Sequence, residues 1–516
     1  MNSEEAIIPI RNTACALLAA SAQRLFPGVI LLGGQSTSKG FYYDFIFSSG
    51  WEPRFLTLLQ EQMYELVRRD HPIKLMEMVP KSAYGYFSSQ SQPFQAGKAK
   101  ASQESLVCLV QIDGFSDFAN GEYVDNTSEV PAFFLQEAFP ILDREEEDCI
   151  RIFGYAFFTK EESRKVDKKT LSIREKDHIT LGKDLQYFFQ MPGENPGEWA
   201  FLPKGELIRE KLIELWKKKI SSSGFEIVSV PSYTEAEMTK NHKIIFENFP
   251  KMSKLAQISF VQTDQAEFEG MFCSSAFFSD RSHVFCPFEK LLSYSISSLQ
   301  FICEILNIFT WKYRFVLYTK SWVHNKALWK KDLRVLEEAL SACNIDYQID
   351  QDTILEKGPK LEVRLEDKMG KEHPCAFLYI DKQKTATQER ILVQSLFGSL
   401  ERFIALLIEQ YEGALPFWLL PEQVRIIPTE KNGEEYALSV KEEVNRLGFL
   451  ASVDKTPESL AKKLSQAEAE KIPYVVMIGA KEKEVGKISV RECRVKKEEM
   501  ITLEQFTEKL RKQVTI

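Results

Sequence analysis

The stretch "GALPFWLLPEQVRIIPTE", residues 413–430, decides how the C-terminal part of the chain reads. Gly413 opens a turn, "FWLL" is an aromatic and aliphatic anchor, and Gln423–Pro428 has the branched apolar run of a strand. Beyond it the pattern alternates. "EYALSVKEEVNRLGF" has helical spacing and stops at Gly448, and "FLASV" is strand-like. Thr456-Pro457-Glu458 reads as a cap, a first-turn proline and a first-turn acid. "YVVMIG" and "GKISVRE" are strands, and "TLEQ" at 502–505 is a capping box opening the last helix. The order βαβαββα predicts a small, mostly parallel or mixed sheet covered by helices.

Upstream, "FGSLERFIALLIEQY" at 397–411 reads as a turn running into a helix. Strands are expected at "AQISFVQ", 282–286, 313–319, 358–365 and 375–381, with a long helix over 287–309. "ELIREKLIELWKKKI" places Leu207, Ile208, Leu212, Leu215 and Trp216 on one helical face, before the strand "FEIVSVPSY". Nearer the N-terminus come a helix at 14–25, strands in "VILLGG" and "KGFYYDFIF", and the helix "PRFLTLLQEQMYELVRRD". "SSQSQPFQAGKAKASQ" reads as a loop before the strand "SLVCLVQID". Acids collect at 143–148, and Ile150–Asp184 reads as a charged, mostly helical connector. The class is α+β and multidomain.

Composition limits the function. With 516 residues, 44% hydrophobic and 27% charged, the chain can build several cores. A formal net charge of -8 means that any nucleic-acid contact must come from local patches. Nine scattered cysteines without a CxxC pair suit a reducing cytoplasm. "MNSEEAIIPIRN" lacks the basic start of a signal peptide. The apolar run "SSLQFICEILNIFTW" carries Glu304 and falls short of the roughly 20 residues a membrane span needs. A cytoplasmic protein without a membrane partner is expected.

The C-terminal block resembles the anticodon-binding domain of class II aminoacyl-tRNA synthetases, threonyl-tRNA synthetase in particular. "FWLLPEQVRIIP" is similar to that family's first strand and "GAKEKEVGKISVRE" to its hairpin. "GSLERF" at 398–403 resembles class II motif 3, and "GFEIVSVPS" with Pro231 resembles motif 1, the dimer strand. "IRIFGYAFFTKEE" and "KDHITLGKDLQYFFQ" resemble the linker, and "GFYYDF" at 40–45 and "YVD" at 123–125 the editing domain. The resemblance implies an editing-like α+β domain at 1–149, a helical linker at 150–184, an antiparallel-sheet catalytic-like domain at 185–412 and an α/β anticodon-binding domain at 413–516. The family's small N-terminal domain has no counterpart in this sequence.

Site by site, the resemblance implies losses. The family's editing pocket uses two histidines on the first helix and a Cys and a His after Tyr-Val-Asp. Here Asn12 and Ala16 stand on the helix and "NTSEVP" follows Asp125, leaving Asn12, Thr127 and Glu129 as the groups that could hold a water. The family's zinc is held by one Cys and two His. Here the Cys-bearing peptide reads as shortened away between Tyr233 and Pro250, His283 fills the first histidine position and Val393 the second. His283 with Cys286 is at best a weak pair, so His283 reads as a hydrogen-bonded core histidine and no metal is expected. For ATP with magnesium, Thr263 lies near the motif 2 arginine position. Later arginines of that hairpin fall on Cys273 and Ser275. No Arg or Lys occurs between Lys254 and Arg281. Only Arg402, in motif 3, remains as a catalytic and ATP-binding candidate, and it reads as structural, pairing with Glu401 or a helix end. Lys360 in "GPK" also matches.

The anticodon domain departs least. The family's anticodon-reading glutamate and arginine fall on Glu482 and Arg491, which suit base edges. Residues 413–516 carry 18 Lys and Arg against 17 Asp and Glu, with local cations in "RVKK" at 494–497 and "KLRK" at 509–512. The trio Lys217–Lys219 reads as the exposed end of its helix. The expected function is a threonyl-tRNA synthetase-like protein that binds threonine tRNA, with aminoacylation and editing lost. It is expected as a homodimer or paired with a genuine synthetase. Two other classes stay open. One is a working threonine–tRNA ligase with phosphate cations supplied by Arg402, Lys360 and Arg281. The other is an interaction subunit without RNA affinity, in which Glu482 and Arg491 are relics.

Overall fold

A computed structural model describes residues 6–141, 149–165, 177–191, 198–263, 270–321, 326–384, 389–430 and 433–513. The acids at 143–148 lie outside them. The chain forms two compact units, Met1–Lys176 with Glu366–Glu372, and Asp177–Leu365 with His373–Ile516.

The first unit contains α1 (Ile8–Leu25), β1 (Ile30–Ser36), β2 (Phe41–Ile46), α2 (Arg54–Arg69), β3 (Ile73–Met78), α3 (Pro80–Ser89), α4 (Pro93–Ala101), β4 (Val107–Ile112), β5 (Phe115–Phe118), β6 (Ala132–Pro140), β7 (Cys149–Phe157) and α5 (Lys160–Lys165). Its sheets run β1-β2-β7-β6 and β3-β4-β5, both antiparallel. α1 is buried on almost every side and packs with Phe41, Phe45 and Ile152. That explains a sequence apolar around its circumference. The segment read as a loop at 88–103 is mostly the end of α3 and α4. Pro80 and Pro93 start these helices, where a missing N–H costs nothing, and Phe87, Ala96 and Ala99 pack on Val107 and Leu109. The start of the expected helical connector is the strand β7, inserted between β2 and β6 and buried nearly throughout.

The second unit begins with α6 (His178–Asp184), the hairpin β8 (Phe188–Gln190) and β9 (Trp199–Phe201), and α7 (Pro203–Ser222). There follow β10 (Glu226–Ile227), α8 (Glu235–Asn248), β11 (Lys254–Gln262), β12 (Ala276–Cys286), α9 (Phe288–Ile308), β13 (Tyr313–Ser321), α10 (Lys326–Ala342), β14 (Tyr347–Leu355), β15 (Lys360–Glu366), β16 (Glu372–Lys384), β17 (Arg390–Ser395) and α11 (Leu400–Gln410). Its eight-stranded sheet runs β10-β11-β12-β17-β16-β15-β13-β14, with antiparallel pairs at β11–β12, β12–β17 and β17–β16. The outermost pairs, β10–β11 and β13–β14, are parallel. The strand expected over 225–232 is confined to Glu226–Ile227. α9 has the length expected of the helix over 287–309, and its 21 residues meet the length and hydropathy of a membrane span, which corrects the reading of its apolar run as too short. Its Leu291, Leu299, Ile302, Ile305 and Leu306 are nonetheless buried in the unit's core.

The chain ends with β18 (Val424–Pro428), α12 (Glu434–Arg446), β19 (Ala451–Val453), α13 (Leu460–Ala469), β20 (Tyr474–Ile478), α14 (Ala480–Val485), β21 (Ile488–Glu492), β22 (Lys497–Ile501) and α15 (Leu503–Gln513). The mixed sheet runs β19-β18-β20-β21-β22. The expected mixed sheet is present, but a helix and a strand must be added to the predicted order. α13 is capped by the Ser459 hydroxyl, not by Thr456, whose own N–H and hydroxyl bond Asp454. The capping box of Thr502 and Gln505 forms as read. α7 holds this C-terminal fold in place. Lys211 donates to the carbonyls of Trp418 and Leu420, and Lys204 reaches Glu470, which also accepts from Arg425. Burial pushes the Lys211 ammonium down to about 8.

At the centre of the second unit, Asp280 of β12 accepts four hydrogen bonds. They come from Trp216 Nε1 at 3.1 Å, Ser395 Oγ at 2.8 Å, and the backbone N–H of Leu396 and Phe397 at 2.8 and 2.9 Å. The turn it grips needs Gly398, whose φ is +67° and where a Cβ would meet the Cys375 carbonyl at 2.7 Å. Asp280→Asn turns one acceptor into a donor facing buried N–H groups. The expected cost is about 3 kcal/mol, seen as a fall of about 5 °C or more in melting temperature. An unchanged melting temperature would show that the carboxylate is dispensable.

Candidate functional site

The α8 first turn, β12, β15 and the start of α11 enclose a cavity of about 670 Å³. It gathers Arg281, Lys360 and Arg402, the three cations that the sequence offered to a working ligase, and also Glu235 and Glu362. Thr263 and Cys375 lie on its wall. Arg281 pairs with Glu235 and lies over the Phe377 ring at 4.2 Å, and Ser279 Oγ donates to Glu235 at 3.0 Å. Burial opposes ionisation of Glu235, but Arg281 beside it holds the carboxyl below its ordinary range. Lys360 pairs with Glu362, which also accepts from Tyr318 Oη at 2.9 Å.

Arg402 is not paired with Glu401. Its Nε donates to the Phe272 carbonyl at 2.6 Å and its Nη1 to the Pro374 carbonyl at 3.0 Å, so it braces two chain segments beside the cavity. Glu401 points elsewhere and accepts from the Phe278 N–H, and burial pushes it up to about 7.

The segment between Tyr233 and Pro250, read as lacking the cysteine-bearing peptide, is helical. It forms α8, with Thr239 and His242 three residues apart on one helix face. Both meet His283, which is fully buried. His283 Nδ1 lies 2.8 Å from His242 Nδ1, and its Nε2 lies 3.0 Å from Thr239 Oγ1. His242 Nε2 bonds Gln257 Oε1 at 3.2 Å. Val393 is the cross-strand neighbour of His283. Cys286, an odd number of strand positions away, belongs to the core on the opposite face. Both ring nitrogens of His283 are engaged, and a threonine hydroxyl and a valine complete the group. This donor set does not fit a tetrahedral zinc ion. His242 went unremarked in the sequence, although its spacing from Thr239 was a readable signal.

In the first unit Asn12, Cys15 and Ala16 border a recess of only about 10 Å³. Thr127 and Glu129 are not there. The Thr127 hydroxyl joins the Leu66 carbonyl to the His71 N–H, and Glu129 caps the turn at Asn126. Asn12 donates to the Glu122 carbonyl, and Asp117, on the same recess, is bonded to Tyr43 and Gln95 and pushed up to about 6 by burial.

On the C-terminal fold the expected hairpin is a strand, the short helix α14 and a second strand. Glu482 caps α14 by accepting from the Gly479 N–H at 2.9 Å, and its other oxygen accepts from Ser489 Oγ at 2.8 Å. Arg491 lies two residues beyond Ser489 on β21, so both side chains project from one face of the sheet. Its guanidinium joins Glu498 on β22 and Glu468 on α13, each at 2.8 Å. The structure therefore sets Glu482, on α14, against Ser489, which shares a strand face with Arg491, and both are already bonded. Of the local cations, Lys509 pairs with Glu499 and Glu492 and Arg494 donates to Ala414, while Lys496 and Lys497 are exposed. Lys217 and Lys218 are exposed as read, and Lys219 pairs with Glu304.

Burial lowers His242 to about 4, so between about pH 6.5 and 4 the unfolded chain binds a proton there that the folded chain refuses. The stability contributed by the neutral pair is present above pH 6.5 and lost as pH falls toward 4. The gap in melting temperature between wild type and His242→Asn is therefore expected to narrow on going from pH 7.5 to pH 4.5. A gap that stays constant, or widens, removes the titration from the account.

The chain is similar to known proteins. A family model described as "Anticodon binding domain" matches residues 423–513. The threonine–tRNA ligase of Acetivibrio thermocellus is 25% identical, over 93% of this chain and 84% of that protein. Threonine–tRNA ligase 2 of Bacillus subtilis strain 168 is also 25% identical, over 100% of this chain and 89% of that protein. Among solved structures, the RNA-binding domain of threonyl-tRNA synthetase from Cryptosporidium parvum superposes with a TM-score of 0.60 at 23% identity, covering 65% of this chain and 98% of that one. The similarity runs along nearly the whole chain, which resembles threonine–tRNA ligases and ends in a segment that matches an anticodon-binding domain.

Proposed function

We propose that this chain binds threonine tRNA through residues 413–516 and no longer aminoacylates or edits it. The observation that carries tRNA binding is the match of 423–513 to the anticodon-binding model. Glu482, on α14, bonds Ser489, which shares a strand face with Arg491. Each Glu482 oxygen keeps a second lone pair for a base amine, and Arg491 can exchange a glutamate for a guanine edge.

The proposed loss of synthesis rests on the cavity and on the histidine pair. Two of the three cavity cations carry internal carboxylates, and Arg402 is engaged by carbonyls. Purified protein is expected to hold less than stoichiometric zinc and to show no threonine-dependent ATP–pyrophosphate exchange. Exchange above background would establish the second reading, a working ligase with a rebuilt site. That reading is favoured by the convergence of Arg281, Lys360 and Arg402 on one cavity.

Binding should fall as salt rises, because phosphate contacts release counterions. Arg491→Ala is expected to weaken binding of threonine tRNA by about 1–3 kcal/mol, with little effect on a tRNA of altered anticodon. If wild type and variant treat threonine tRNA, its anticodon mutant and an unrelated tRNA alike, the interaction-subunit reading replaces anticodon recognition.

A further inference from the structure

The two carboxylates of the 670 Å³ cavity are held differently. Glu362 is part of the wall, 5% exposed and bonded to Lys360, Tyr318 and Arg364. Glu235 comes from the first turn of α8, and about a third of its side chain still faces solvent. It nevertheless reaches Arg281, a cation only 6% exposed and laid flat on Phe377. The ion pair that the described residues give Arg281 is with Glu235. Two further features keep Glu235 there and ionised: the Ser279 hydroxyl donates to it, and the positive end of the helix dipole favours an acid in the first turn.

We infer that Glu235 determines which ligands this cavity accepts. Its carboxylate is a resident anion that occupies Arg281. Without it Arg281 would face a phosphate-rich molecule with its charge uncompensated, beside the Glu362-paired Lys360 and the carbonyl-bound Arg402. An entering polyphosphate must displace the carboxylate from Arg281 and then remain beside it, a like-charge contact that disfavours binding. The cavity therefore discriminates against polyphosphates and leaves room for ligands of low charge. This inference rests on the reading that the cavity does not handle a nucleotide triphosphate.

The test is calorimetric titration of the full chain with inorganic pyrophosphate in magnesium-free, low-salt buffer. Glu235→Gln and Glu235→Ala are expected to bind at least tenfold more tightly than wild type, and adding Arg281→Ala to either should abolish the gain. If a Glu235 variant melts early, Ser279→Ala removes one anchor of the carboxylate and is expected to give a smaller gain that still depends on Arg281. Variants that keep the wild-type melting temperature without gaining affinity overturn the inference. So does a wild-type chain that already binds pyrophosphate as tightly as they do. Threonine tRNA binding by the same samples reads the C-terminal fold separately, so failure there is distinct from failure here.

Discussion

The second unit is organised around one buried carboxylate. Asp280 ties β12 to α7 through Trp216 and to the turn between β17 and α11 through Ser395, Leu396 and Phe397. A charged group in a closed core is tolerable only when its lone pairs are filled, and here four donors fill them. The consequences spread outward. Fixing the turn sets where α11 begins, and hence where Arg402 projects. Fixing β12 sets the two side chains that flank Asp280 along the strand, Ser279 and Arg281, which face the cavity. A second buried pair, His178 with Glu409 at 2.6 Å, ties α6 to α11, and His178 Nε2 also accepts the Met271 N–H.

The cavity and the C-terminal sheet handle charge in similar ways. In both, arginines are held by glutamates from neighbouring elements: Arg281 by Glu235, and Arg491 by Glu468 and Glu498. The difference lies in exposure. Arg281 is buried and lies on an aromatic ring, so its partner is costly to replace. Arg491 sits at the surface, where an ion pair is worth little and water readily substitutes. An arginine of the second kind can exchange partners when a ligand arrives.

Much of this architecture was legible in the sequence because apolar periodicity and caps are local signals. Buried strands such as β12 and β20, the length of α9 and the capping box at Thr502 are examples. What escaped was decided at a distance. α3 and α4 look like a polar loop because few of their residues, Ala83, Phe87, Gln95, Ala96 and Ala99, are buried, and the sheet supplies the rest of their core. β7 was masked by the charged residues after it, although its own side chains are mostly apolar, with Arg151 the exception. At the candidate sites, residue types were readable and partners were not. Nothing near Arg402 in sequence announces the carbonyls of Phe272 and Pro374. His242 meets His283 only because α8 packs over β12.

The anchoring of the C-terminal fold by α7 has a mechanical consequence. That helix is 20 residues long, about 30 Å from end to end. Lys204 near its start grips Glu470, and Lys211 two turns later grips the chain at Trp418 and Leu420, so the sheet is clamped at two points of a stiff rod. A domain tied at a single hinge would swivel; this one is held like the jaw of a caliper. The spacing between β21 and the cavity is thereby a built-in measure, and it would survive the loss of any chemistry inside that cavity.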